Sequence, residues 1–151
     1  MKKSHIAQKI FVVSGLLGVL GCNINIKIPT EVKDAFTLKF PEAKTVFWEQ
    51  ETDVEWEAEF TMNDMEYSAN FMEDGTWKET EHKIELQSVP KTVLTSLMKA
   101  FPDYKIKKTE IAETSEGSNF EFEIEKGGII MDVMINNEGV ILKKEIADHE
   151  D

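Results

Sequence analysis

The 151-residue chain holds 29 acidic residues against 17 basic ones, every one of them lysine, for a formal charge of −12. A protein with no arginine and such an excess of carboxylate is not built for nucleic acid, whose phosphates are gripped by clustered lysine and arginine, nor for a polybasic hold on anionic lipid. Its single cysteine excludes an internal disulfide.

The chain opens with Lys2, Lys3 and Lys9 leading into an apolar stretch from Ile10 to Leu20. That is the pattern of a signal peptide, and it is short of the roughly 20 residues a membrane-crossing helix needs. Val19-Leu20-Gly21-Cys22 resembles the lipobox of bacterial lipoproteins, although leucine stands where a small residue is usual. The expectation is therefore cleavage after residue 21 and lipidation of Cys22. Asn23 is not the aspartate that retains some lipoproteins at the inner membrane, so the expected location is the outer membrane, facing the periplasm. Removing 1–21 takes away three lysines and no acid, leaving the mature chain at 14 − 29 = −15. Residues 22–27 form a tether. Fully extended at about 3.5 Å per residue, Asn23 to Ile28 reaches about 20 Å, which keeps the domain close to its membrane.

The rest of the chain states one pattern twice, over 28–86 and 87–151. Ile28-Pro29 corresponds to Val89-Pro90, and twelve positions on Phe40-Pro41 corresponds to Phe101-Pro102. Between the prolines, Val32, Phe36 and Phe40 match Val93, Leu97 and Phe101, four apart on one face of a helix. The first proline of each pair suits the opening of a helix and the second closes it by restricting the residue before it.

After each helix the period falls to two. Val54, Trp56, Ala58, Phe60 and Met62 alternate with Glu55, Glu57, Glu59 and Thr61, and a turn at Asn63-Asp64 leads to Met65, Tyr67, Ala69 and Phe71. In the second copy Phe120, Phe122 and Ile124 alternate with Glu121, Glu123 and Glu125, and Gly127-Gly128 turns into Ile129, Met131, Val133 and Ile135. Gly75 and Gly139 mark the next turns. Strands around Val46–Glu51 and Ile106–Ile111 complete four per copy. The spacing between copies grows by three residues, which places an insertion in a loop around Thr114 to Ser118. One helix covers four strands poorly, so the expected fold is α+β: two tandem helix-plus-four-strand antiparallel repeats forming one curved sheet, both helices on one face.

These prolines, the Phe-Pro helix ends and the turns Asp74-Gly75 and Glu138-Gly139 resemble the PepSY-like family of bacterial exported proteins, also described as β-lactamase-inhibitor-like, over about Ile28 to Ile146. The resemblance implies tandem repeats building a curved sheet with helices on its convex side. β-Lactamase inhibitor proteins of similar shape grip an enzyme with the concave side. No catalytic residue comes with the family.

If the apolar strand residues face the helices, Glu55, Glu57, Glu59 and Glu66 of one copy and Glu121, Glu123, Glu125 and Asp132 of the other face away. Such a face would attract a lysine-rich envelope protein or peptide, or divalent cations. The plainer account is a solvated face that keeps the strands soluble. Trp48 and Trp77 are the aromatic contact candidates, with core packing as their plainer role. Met62, Met65 and Met72 cluster about one hairpin, where core packing outweighs a copper(I) site. His82 and His149 have no zinc-spaced partners, and Ser68, Ser88, Ser96, Ser115 and Ser118 lie in no nucleophile motif. Neither an enzyme nor a metal site nor a cofactor is expected. The expectation is a non-enzymatic, membrane-anchored periplasmic lipoprotein that binds a protein or peptide through the open acidic sheet face, inhibition of an envelope enzyme being one form of that binding; the alternative is an acidic cation-binding or envelope-structural lipoprotein without a dedicated protein target.

Overall fold

The computed structural model describes residues 27–147, so Cys22, the signal segment and His149 lie outside the described residues. In chain order it contains α1 (Thr30–Lys39), β1 (Lys44–Thr52), β2 (Glu55–Met62), β3 (Met65–Met72) and β4 (Trp77–Lys83). A short 3-10 turn, Leu86–Ser88, leads to α2 (Lys91–Ala100), β5 (Lys105–Thr114), β6 (Gly117–Lys126), β7 (Ile129–Asn136) and β8 (Ile141–Ile146). The eight strands form one antiparallel sheet in the order of the sequence.

The proline pairs bracket the helices as their chemistry requires. Pro29 and Pro90 stand at the N-caps with extended backbone, and their carbonyls accept the first helical bonds, from Lys33 and Leu94, at 3.2 and 3.1 Å. Phe40 and Phe101, each before a proline, leave the helix at φ −125° and −127°, because a following proline disfavours helical backbone.

Directly opposed residues of neighbouring strands share a face, and the row Phe60, Tyr67, His82, Ile111, Phe120, Ile135 runs unbroken from β2 to β7. The apolar residues of both copies therefore lie on one face, under both helices. Val32, Phe36 and Phe40 pack on Trp56, Ala58, Phe60, Ala69 and Phe71; Val89, Val93 and Leu97 pack on Phe120, Phe122, Ile124, Val133 and Ile135. Phe36 is the hub of the first core, with ring centroids of Trp48 and Phe60 at 5.1 Å and of Phe40 at 5.4 Å. A fully buried side chain of this size contributes about 1.5–3 kcal/mol.

Gly75 and Gly139 do more than turn the chain. Each has φ near +84° and lies against the first turns of its helix: a Cβ on Gly75 would sit 2.7 Å from the Glu31 carbonyl oxygen, and one on Gly139 would sit 2.7 Å from Ser96 Oγ. The pattern Asp74-Gly75 or Glu138-Gly139 thus docks the helix on the sheet as well as reversing the chain.

One expectation is corrected. The three additional residues of the second copy do not enlarge a loop. Both hairpins turn through two residues, Asp53-Val54 and Ser115-Glu116, and the additional residues lengthen the strands, 10 and 10 residues in β5 and β6 against 9 and 8 in β1 and β2. Thr114 and Gly117 pair as the last rung, and Thr114 Oγ1 donates to the Gly117 carbonyl at 2.9 Å.

Candidate functional site: the open face of the sheet

Neither helix covers the second face. Its rows are read from the pairing: Glu49, Glu57, Asn70 and Glu79; Glu59, Ser68, Glu81, Ala112, Asn119 and Asn136; Glu110, Glu121, Met134 and Lys143; Lys108, Glu123, Asp132 and Glu145. Glu55 opposes Met72, Glu66 opposes Thr61, and Glu125 lies between Lys105 and Ile130. All eight predicted carboxylates are therefore on this face. Ala112 is 1 % exposed and Glu79 8 %, although no helix covers them. A sheet curling toward this side encloses residues in that way, so the open face is the concave one.

The two halves differ in charge. In the second half lysines interleave with the acids: Lys108 pairs with Glu110 at 2.9 Å and Lys143 with Glu145 at 2.6 Å. Burial, helped by the charges of Glu123 and Glu145, raises the Asp132 pKa above the ordinary carboxylate value, while Lys108 and Lys143 work against the rise. In the first half no lysine stands in the rows of Glu49–Glu57 or Glu59–Ser68. Lys44 lies at a corner opposite Thr61, and Lys83 at the seam between copies.

Within that first half, carboxylate oxygens of Glu49, Glu51 and Glu57 all lie within 4.8 Å of one another. Glu57 directly opposes Glu49 and hydrogen-bonds to Glu51. Burial first, then the bond to Glu51 and its charge, push the Glu57 pKa up to about 7, against a partial opposing effect from a hydrogen bond with Ser68. Glu49 and Glu51 were not among the sequence candidates. Glu51 sits where the β1–β2 register shifts, so alternation does not reveal which side chain it meets.

The aromatic candidates fall elsewhere. Trp48 opposes Ala58 and packs edge-on against Phe36, on the helix face. Trp77 is half-buried in the first core, its Nε1–H donates to Thr80 Oγ1 at 3.0 Å, and Lys39 Nζ sits 3.6 Å from its ring centroid. Neither belongs to the open face, so the two aromatic contact candidates stand apart from the carboxylates, in the packing that was their plainer role. The aromatic there is Phe47, opposite Glu59 and 65 % exposed. The methionines also separate: Met62 and Met65 oppose each other on the helix face, while Met72 lies on the open face, and no thioether cluster forms among them.

The architecture is thus an open antiparallel sheet, curved away from two helices, with an acidic concave face. The chain belongs to the family described as "Putative beta-lactamase-inhibitor-like, PepSY-like", whose model matches residues 54–143. Its fold is shared with a Bacteroides eggerthii protein described as a "putative periplasmic" protein (TM-score 0.71, 19% identity, 80% of this chain and 89% of that one). It is also shared with a BLIP-like protein from Bacteroides fragilis (TM-score 0.67, 23% identity, 82% and 89%). A DUF2874 family protein from Bacteroides ovatus matches at TM-score 0.69 and 21% identity, over 80% and 88% of the chains. No curated protein matches the chain.

Proposed function

We propose that the chain is an exported, lipid-anchored, non-enzymatic binding protein of the periplasm, whose concave face grips a lysine-rich surface of an envelope protein or peptide. An envelope enzyme held inactive is one such partner. The observation that carries this reading is Glu57, half-buried against Glu49 and Glu51 with no lysine in its row. Like charges opposed across strands cost a few tenths to about 1 kcal/mol per pair, a cost that an incoming ammonium group would relieve. The signal-like start and Cys22 support the location, as does the periplasmic description of a protein with the same fold.

The test is co-purification of the anchored protein from detergent-solubilised envelopes. One stoichiometric partner is expected, lost with Glu57→Lys and retained in larger part with Glu123→Lys, where Lys108 and Lys143 already compensate. A second reading, cation binding, is favoured by the convergence of Glu49, Glu51 and Glu57, although calcium takes 6–8 oxygen ligands and three side chains supply only some of them. Absence of any partner, together with a melting temperature that rises in millimolar calcium and no longer does so in Glu51→Gln, would replace the first reading with the second.

A further inference from the structure

The sheet has a notch at one end, where β5 runs on past the end of β4. β4 ends at Lys83, paired with Glu110, whereas β5 begins five residues earlier, at Lys105. On the other flank β3 reaches no further than this: continuing the Tyr67–His82 register sets its first residue, Met65, level with Ile84. The Ile84 N–H still reaches the Thr109 carbonyl at 3.1 Å, and the chain then departs through Glu85 into the 3-10 turn. Beyond Ile84 the β5 edge is therefore free of strand pairing on that side among the described residues, with room about 4.8 Å away for one extended chain. The resulting cleft, of about 820 Å³, is walled by Met65, His82, Lys83, Ser88, Lys107 and Lys108.

Among the described residues no strand pairs with that side of β5 between Lys105 and Lys108. The β5–β6 register shifts between Ile106 and Lys108, which makes Lys107 the extra residue of a bulge. The charge balance reverses locally as well: three lysines meet two glutamates, Glu85 and Glu123, in a chain where acids far outnumber bases. Lys108 is engaged by Glu110, but neither Lys83 nor Lys107 has an ion pair among the described residues.

We propose that this notch is a second binding site, distinct from the acidic face, that takes the C-terminal end of a short extended peptide. The peptide backbone pairs with the inner edge of β5, and its terminal carboxylate is held by Lys83 and Lys107. Strand addition supplies backbone hydrogen bonds without demanding a particular sequence, and the paired lysines select a free carboxyl end. His82 is packed on Tyr67 at 4.9 Å, and its Nδ1 is buried without a hydrogen-bond partner among the described residues, so its ring signals report on the notch.

The test uses the full anchored protein, ¹⁵N-labelled in detergent micelles, titrated with an uncharged-side-chain tetrapeptide bearing a free carboxyl end, with the same peptide amidated, and with acetate. The free-acid peptide should shift the amides of Lys105 to Thr109 and the His82 ring. Amidation should weaken binding about tenfold or more, which is about 1.4 kcal/mol. Lys83→Glu combined with Lys107→Glu should abolish it, and both positions are exposed, so the fold is retained. Lys33→Glu, a charge-matched change on α1, should leave it intact. Equal binding of the amidated peptide, acetate competing as well as the peptide, shifts confined to other strands, or no shift with any probe would each overturn the proposal.

Discussion

Glu57 ties stability to pH in an unusual direction for a carboxylate. Its ordinary value is 4.5 and its folded value about 7. Below about pH 4.5 both folded and unfolded chains hold the proton and the site costs nothing. Between 4.5 and 7 the unfolded chain releases a proton that the folded chain keeps, so stability falls as pH rises, and it stays reduced above 7. Because the side chain is only partly buried, the loss is about 1–2 kcal/mol after solvent screening. Glu57→Gln can still donate to Glu51 but carries no proton to lose. Urea unfolding across pH should find it more stable than the parent by that amount at pH 8 and equal at pH 4. The raised pKa of Asp132 adds a cost of the same sign. Binding should move oppositely: a lysine docked at Glu57 favours its ionised form, so affinity for the partner should rise through pH 7. Gly75 provides a second residue-scale test. Alanine there meets a backbone carbonyl and an unfavourable φ together, and thermal or urea unfolding should report a loss of about 2–4 kcal/mol. Gly139→Ala meets the same unfavourable φ, but its closest contact is the Ser96 hydroxyl, which can rotate away, and the Thr92 carbonyl oxygen lies further off at 3.2 Å, so it should cost less than Gly75→Ala.

At the scale of elements, β1 separates what a sequence can show from what it cannot. β2, β3, β6 and β7 alternate strictly, so their faces, turns and eight open-face carboxylates were legible from the residues alone. β1 is irregular at both ends, with Thr45 at φ 52° and register shifts between Lys44 and Phe47 and between Gln50 and Thr52. A one-residue change of register exchanges faces, and that is why Trp48, rather than Phe47, looked like the contact aromatic. The polar run Thr114 to Ser118 read as loop because threonine, glycine and serine favour turns, whereas the ladder simply continues into it. The compensation of the second acidic half by Lys108 and Lys143 was illegible, since it depends on the β5 bulge and on how β8 pairs with β7. Substitution tests the corrected faces. Trp48→Ala should cost about 2–4 kcal/mol of stability. Phe47→Ser should stay within about 0.5 kcal/mol in unfolding, yet weaken partner capture.

For the whole molecule, charge is distributed so that lysines stand among the acids in one half of the concave face and are missing from the Glu49–Glu57 and Glu59–Ser68 rows of the other. If a basic partner is steered there, raising ionic strength should slow its association about tenfold or more, while dissociation changes little. Surface plasmon resonance with the captured partner separates the two rates, and salt-independent association would count against electrostatic steering. The order of the sheet has a different consequence, one of time rather than of binding. Every strand pairs only with strands adjacent to it in sequence, so apart from the helix-containing link between β4 and β5 the closure of long loops is avoided. A chain that emerges amino end first, as from a ribosome, can lay down each strand on its predecessor as it appears. The first repeat can complete its ladder while β5 is still in transit, which shortens the interval in which an unpaired edge is open to a neighbouring chain.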